Sequence, residues 1–365
     1  MSKVLAAVIP QPGAAIEIRE LPEPELEPDS GVLEIEFSEV CGTDVHLHDG
    51  RLAGVPYPLI PGHVSAGRLA KIRGRLLDVQ GRRFSEGDRI TFLDVHGTCN
   101  ACWHCLVAKA TTRCPRRKVY GVTYGVEDGL SGGWAEQLYL KPATRCIRLD
   151  GVDSDFFMAG GCSLPTALHA VDRAEIAIGE SVLVLGSGPV GLSSIIFARM
   201  SGALQVLCIG APAHRLKTAI AVGASQILNF EDHPLEERLE WVRRQTGGRG
   251  ADVCIEATGA PSAVVEAMRF TRDAGRVVVV GQYTDHGPVH FNPHLDLNQK
   301  HLDVRACWGS DFSHFYRGIQ VLSDPQLSAP WGRIPLSRFK LAQAEQALQA
   351  VRKGEVVKAL VECGA

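Results

Sequence analysis

Apolar residues in the first 150 positions come in short runs broken by glycine, proline and charge. From about 180 to 283 the pattern changes to continuous apolar runs alternating with segments of three-to-four spacing. In the first region VLAAVI (4–9), VLEIEF (32–37) and GRLAKI (67–72) read as strands, with the proline-rich PEPELEPDSG (22–31) between the first two. GRRFSEGDRITF (81–92) reads as a turn entering a strand, and LSGGWAEQLYLKPATRCIRL (130–149) as two more strand-like runs. GGCSLPTALHAVDRA (160–174) reads as a turn entering a helix with Cys162 at its head, and taken alone Cys162 reads as an ordinary buried thiol.

The second region begins with SVLVLGSGPVGLSSIIFARMSG (181–202), a buried-strand run followed by Gly186, Gly188 and Gly191 in the order G-x-G-x-x-G, then a helical pattern. In a βαβ unit the first glycine permits a tight turn. The second lets backbone approach a pyrophosphate, and the third lets helix and strand pack closely. Pro189 suits a first helical turn, where no intrahelical partner is missed. Strand-like runs at 205–209, 227–230, 252–259 and 276–283 alternate with helical ones at 213–223, 234–246 and 261–271. That alternation predicts an open parallel sheet covered on both faces, with a dinucleotide across the carboxyl ends of its strands. The chain is then expected to leave the sheet through residues 302–322. It closes with a helix at 341–354 and a strand at 356–362, and the last 60 residues, without βα alternation, are expected to return to the first domain.

Chemistry enters with the cysteines. Eleven occur, and Cys99, Cys102, Cys105 and Cys114 fall within one short segment, spaced C-x2-C-x2-C with eight residues before the last. Four thiolates fill a tetrahedral zinc shell and leave no open position, so this lobe (about 97–116) reads as a structural site. No basic recognition helix follows it, which sets a nucleic-acid finger aside, and RCPRRK (113–118) reads as a solvated basic surface. The stretch 40–67 gathers Cys41, Thr43, Asp44, His46 and His63 among glycines and prolines. It has two readings: a zinc site with a nearby proton path, or a buried thiol with surface histidines.

Length and composition narrow the class. The 365 residues suit two domains, and 45% apolar with 22% charged residues is a globular composition. A net charge of −3 gives no electrostatic reason to expect nucleic acid or an anionic membrane, and no apolar run is long enough to span a bilayer. The N-terminus lacks a signal-peptide layout, so a cytoplasmic location with reduced thiols is expected. At the end of the second strand of the sheet, Gly210 stands where an acid would grip the adenosine ribose, and Arg215 follows at a distance. One distant guanidinium and one histidine are little charge for a phosphate dianion, which favours NAD over NADP.

The motifs CGTDVH (41–46), PGHVSAG (61–67), GDRI (87–90), GGCSLPTALHA (160–170), GSGPVG (186–191) and EATG (256–259), with the four-cysteine lobe, resemble the zinc-dependent alcohol dehydrogenases of the medium-chain dehydrogenase/reductase family over nearly the whole chain. The resemblance implies an α/β protein: a GroES-like β-barrel catalytic domain (1–164 and 306–365) with an inserted Rossmann doubly wound parallel-sheet domain (165–305), and a cleft between them. It makes Cys41, His63 and Cys162 catalytic zinc ligands, Thr43 and His46 a proton relay, and Asp44 the outer carboxylate that orients His63. It makes Cys99, Cys102, Cys105 and Cys114 the ligands of a second zinc. Gly186, Gly188, Pro189, Val190, Gly191, Gly210, Arg215, Thr258, Gly281 and Gln282 become cofactor-binding candidates, and Leu52, Val95, His96 and Gln282 candidate cleft residues. The implied activity is hydride transfer between an alcohol, secondary or cyclic, and NAD(P), in a homodimer or homotetramer. Two alternatives share the architecture: a zinc-free quinone or enone reductase, and a non-enzymatic NAD(P) sensor.

Three positions depart from the family pattern. Val64 replaces the glutamate usual after the zinc histidine, so no carboxylate there can ligate zinc. The gap before Cys114 is eight residues where seven is usual, which predicts a less ideal placement of that thiol. Gly210 stands where NAD-using members carry Asp. Trp308 and residues 314–316 are expected to pack or to form an interface rather than to touch substrate.

Overall fold

A strand with apolar residues on alternate positions buries one face, and a longer one can bend to serve two partners. Ser30–Val40 is buried at most positions along its length and serves three partners, with register shifts between Val32 and Leu33 and between Ile35 and Phe37. It pairs antiparallel with Ser65–Arg73, with Gln137–Leu140 and, at its end, with Lys358–Glu362. In the computed structural model, which describes residues 3–364, this strand is the spine of a seven-stranded sheet. Leu33, Ile35, Leu69, Phe92, Trp134, Leu138, Leu348 and Val361 fill the core against it. Contacts divide the chain into two units, the first formed by 1–162, 311–328 and 335–365, the second by 163–310 and 329–334.

The second unit is a six-stranded sheet in which every neighbouring pair is parallel. Its order across the sheet is Gln226–Asn229, Gln205–Gly210, Ser181–Leu185, Ala251–Glu256, Thr271–Val279 and Asp303–Ala306. In chain order that is 3-2-1-4-5-6, the doubly wound arrangement whose direction reverses beside the first strand. Helices Pro189–Met200, Ala213–Val222, Leu235–Gln245 and Pro261–Phe270 connect the strands, as the spacing of apolar residues predicts.

Two expectations for the tail are corrected. The chain does not leave the sheet at 302: Asp303–Ala306 is its sixth strand, at the edge, where Val304 is exposed and little burial was needed to mark it. Residues 336–362 do repeat a strand–helix–strand unit, Leu336–Lys340, Ala344–Arg352 and Lys358–Glu362, with the two strands parallel. This unit belongs to the first domain's sheet, while 329–334 stays with the second unit, where Trp331 is fully buried against Phe197. Trp308 stacks on Tyr283 and Phe315 packs against Phe157, as expected of packing residues.

Candidate metal centre and dinucleotide site

Cys41 ends the spine strand and caps the helix Gly42–His48, with its sulfur accepting the Thr43 N–H at 3.3 Å. Asp44 is fully buried and uses both oxygens on backbone: Oδ2 accepts the Cys41 N–H at 2.8 Å and Oδ1 the Gly62 N–H at 3.2 Å. One carboxylate thereby ties the segment carrying Cys41 to the segment carrying His63. On the His63 side the bond is made to the backbone of Gly62, the residue beside the imidazole. Gly62 has φ +87°, and a Cβ there would lie 2.4 Å from the Trp134 ring, so only glycine fits that approach.

Cys41, His63 and Cys162 each offer a ligand atom, and these atoms lie within 4.8 Å of one another. The His63 Nδ1 is buried with no hydrogen-bond partner among the described residues, a cost that a coordinated ion would remove. Burial works against the imidazolium of His63. The negative charge of Cys41, Asp44, Asp94 and Glu39 outweighs it and pushes the group up to about 9. The Cys162 thiol is pushed up by its hydrogen bond to Cys41 and by burial. Two soft sulfurs and an imidazole, gathered where negative charge is in excess, are a donor set that fits zinc.

Thr43 and His46 are half-buried and three residues apart on one helix, hence on the same face. His96 has both ring nitrogens engaged, Nδ1 with the Tyr124 hydroxyl at 2.6 Å and Nε2 with the Pro142 carbonyl at 3.0 Å. Val95 is buried and Leu52 packs into a small apolar cluster with Leu47 and Leu59.

The four-cysteine lobe closes on itself. Sulfurs of Cys102 and Cys105 stand 3.6 Å apart, as do those of Cys99 and Cys114, and all four lie within 4.8 Å of one another. A single turn of 3-10 helix at Thr111–Arg113 leads into Cys114, whose sulfur joins the other three despite the longer gap. The Ala101 N–H, foremost among several donors, holds the Cys99 thiol down to about 6, and burial pushes Cys105 up to about 12.

In the second unit the glycine-rich turn matches its chemistry. Gly186 has φ +105°. A Cβ on Gly191 would lie 1.9 Å from the Gly186 carbonyl oxygen, whereas one on Gly188 would meet nothing within 4 Å. Helix Pro189–Met200 starts there with Pro189 in its first turn, followed by Val190. At Gly210 a Cβ would lie 2.6 Å from Ser187 Oγ, so that strand end has no room for a side chain as the chain is packed. Arg215 is half-buried, with its basicity lowered by that burial.

Sequence reasoning missed two features. Glu256 is buried, and its Oε1 accepts from the Thr258 N–H and hydroxyl and the Gly259 N–H. Its other oxygen accepts from Gln282, and a Cβ on Gly281 would lie 2.7 Å from Oε1, so it organises several cofactor candidates at once. The second is a buried pair, Glu39 and Lys358, in contact with Cys162. The signal for each was a charged residue inside an otherwise apolar strand pattern.

No helix among the described residues is long and apolar enough to cross a membrane. Residues 27–151 match the family model of the alcohol dehydrogenase GroES-like domain, and 189–324 that of the zinc-binding dehydrogenase. A solved alcohol dehydrogenase from Thermotoga maritima superposes with a TM-score of 0.93 at 32% identity, covering 100% of both chains. A 5-exo-hydroxycamphor dehydrogenase from Pseudomonas putida is 29% identical over 350 residues, 95% of each chain. An L-threonine 3-dehydrogenase from Bacillus licheniformis is 27% identical over 359 residues, 96% of each. The two units are therefore a GroES-like domain and a Rossmann domain, and the chain belongs to the zinc-dependent alcohol dehydrogenases of the medium-chain dehydrogenase/reductase family, which are oxidoreductases.

Proposed function

We propose that the protein is a zinc-dependent dehydrogenase that interconverts a secondary or cyclic alcohol and its ketone with NAD, holding one catalytic and one structural zinc. The convergence of Cys41, His63 and Cys162, residues drawn from three distant segments, carries the reading. Cys41, His63 and Cys162 would hold the ion, which would supply Lewis acidity toward the alcohol oxygen, and a bound nicotinamide would supply the hydride acceptor. Three protein donors are the number with which zinc sites serve catalysis, and the four-cysteine lobe, with four, is structural.

The chain's own part is to hold and to move a proton. Thr43 would accept the proton of the substrate hydroxyl as it gives up its own, by way of a ribose hydroxyl, to His46, which would hand a proton to water, a task suited to an imidazole near neutral pH. Asp44 keeps the two ligand-bearing segments together. The turn Gly186–Gly191 takes the pyrophosphate at a helix N-terminus, and Gly210, Arg215, Thr258, Gly281 and Gln282 line the remainder of the dinucleotide site. The catalytic role falls to the unit formed by 1–162, 311–328 and 335–365, and the cofactor role to that formed by 163–310 and 329–334. Two relatives, named for hydroxycamphor and for threonine at its third carbon, favour a hydroxyl within a ring or chain over a terminal one. Eleven free cysteines suit a reducing, cytoplasmic location, and the proposed assembly is a homodimer or homotetramer.

The test is a zinc count on the purified protein with a panel of primary, secondary and cyclic alcohols and ketones, each against NAD and NADP. Two zinc per chain and turnover of secondary alcohols with NAD are expected. One zinc or none, or turnover restricted to enones or quinones, would overturn the reading.

A further inference from the structure

Glu39 and Lys358 lie 319 residues apart in sequence, are each 1% exposed, and form an ion pair. Two charges taken out of water are costly unless their surroundings use them. Here they do. Glu39 Oε2 accepts the Cys162 N–H at 2.6 Å and Oε1 stands 3.2 Å from the Cys162 sulfur, while Lys358 Nζ donates to the Gly160 carbonyl at 3.5 Å. Between them, Gly161 has φ +50°, and a Cβ there would lie 2.1 Å from Glu39 Oε2 and 2.6 Å from Lys358 Nζ. Residues 160–162 are thus wrapped on the pair, carbonyl toward the cation and amide toward the anion.

Glu39 also reaches the other two donors. It stands two residues before Cys41, and its N–H donates at 2.9 Å to the carbonyl of Val64, which follows His63. Its own carbonyl accepts the Trp134 indole N–H at 2.9 Å, which fixes the strand end. A dication with two thiolates and a neutral imidazole is electrically neutral. Lys358 then neutralises Glu39, so neither charge stands alone beside the site.

Resting on the metal-site reading above, we propose that Glu39 and Lys358 are a positioning pair for that site. Glu39 sets the Cys162 backbone so that its sulfur joins Cys41 and His63, and Lys358 supplies the positive charge that allows a carboxylate to do this next to two thiolates.

The test uses the full-length zinc protein. Glu39→Gln is expected to weaken zinc at this site by about 10–100-fold in competition with a chromogenic chelator, the range for residues that orient metal ligands. The four-cysteine lobe serves as the internal control and keeps its zinc. In the cobalt-substituted protein the sulfur-to-cobalt charge-transfer band should weaken in Glu39→Gln and in Lys358→Met, and recover in Lys358→Arg. A folded Glu39→Gln protein with wild-type zinc affinity and an unchanged cobalt band would overturn the proposal. Should the single variants not fold, the apolar double variant Glu39→Leu/Lys358→Met decides, since such replacement of a buried pair is often tolerated. Weak zinc binding in it supports positioning, and wild-type binding with an unchanged band overturns it. A wild-type protein holding only the lobe zinc would instead remove the metal-site reading before any variant is compared.

Discussion

Gly188→Ala and Gly191→Ala add the same methyl three positions apart, yet the structure assigns them opposite costs. At Gly191 the added methyl would sit 1.9 Å from a backbone oxygen and 2.9 Å from its carbon, both on Gly186. That is about 1.5 Å short of ordinary van der Waals contact, and no side chain can rotate away to relieve it. The helix must lift from its strand, with a loss of about 1–3 kcal/mol for overpacking. At Gly188 the methyl meets no protein atom within 4 Å and φ is −77°, so the loss of stability should stay below about 1 kcal/mol, the scale of an N-cap change. The space it fills is the space a pyrophosphate would use. Gly188→Ala should therefore weaken NAD binding at least about tenfold, ~1.4 kcal/mol, while remaining as stable as wild type to within that margin. Urea denaturation and titration of nucleotide binding by fluorescence measure the two quantities separately. Equal destabilisation by both variants, or wild-type NAD affinity in Gly188→Ala, would refute the argument.

Cys41→Ser should lose one zinc per chain with the fold retained and turnover abolished, checked by metal analysis, circular dichroism and assay; surviving turnover would contradict the assigned chemistry. His46→Gln should lower the rate and flatten its dependence on pH, whereas an unaltered profile would rule out the relay. The Arg269 guanidinium bonded to Asp296 holds that carboxyl below its usual range. Its stabilising contribution is present above the unfolded value of about 4 and is lost as pH falls through the folded one. Urea midpoints of wild type and Asp296→Asn should accordingly differ at pH 7 and converge on acidification, and a gap that widens toward acid would reverse the sign.

Features carried by chemistry at fixed spacing were legible in the sequence. Gly186, Gly188 and Gly191 announce a turn because each does something no other residue can, and Cys99, Cys102 and Cys105 sit where one ion can reach them all. The long apolar runs at 181–185 and 251–256 were equally plain, since burial on both faces leaves little room for polar residues. Asp303–Ala306 and Leu336–Lys340 were not, because both strands expose much of their surface and mix charge with apolar residues. Glu39 and Lys358 were least visible. Each looks like a solvated charge until two ends of the chain meet, and no local pattern reports a partner 319 residues away.

That meeting also sets an order for biosynthesis. The interior stretch 163–310 can complete all six strands of its sheet from its own residues, while the strand made much earlier, Ser30–Val40, lacks its second neighbour along Phe37–Val40 until residues 359–362 emerge from the ribosome. Translation normally lets the leading domain mature first. Here the leading segment must wait on the trailing one, so a nascent chain stalled short of residue 358 would hold Glu39 without the cation that balances it.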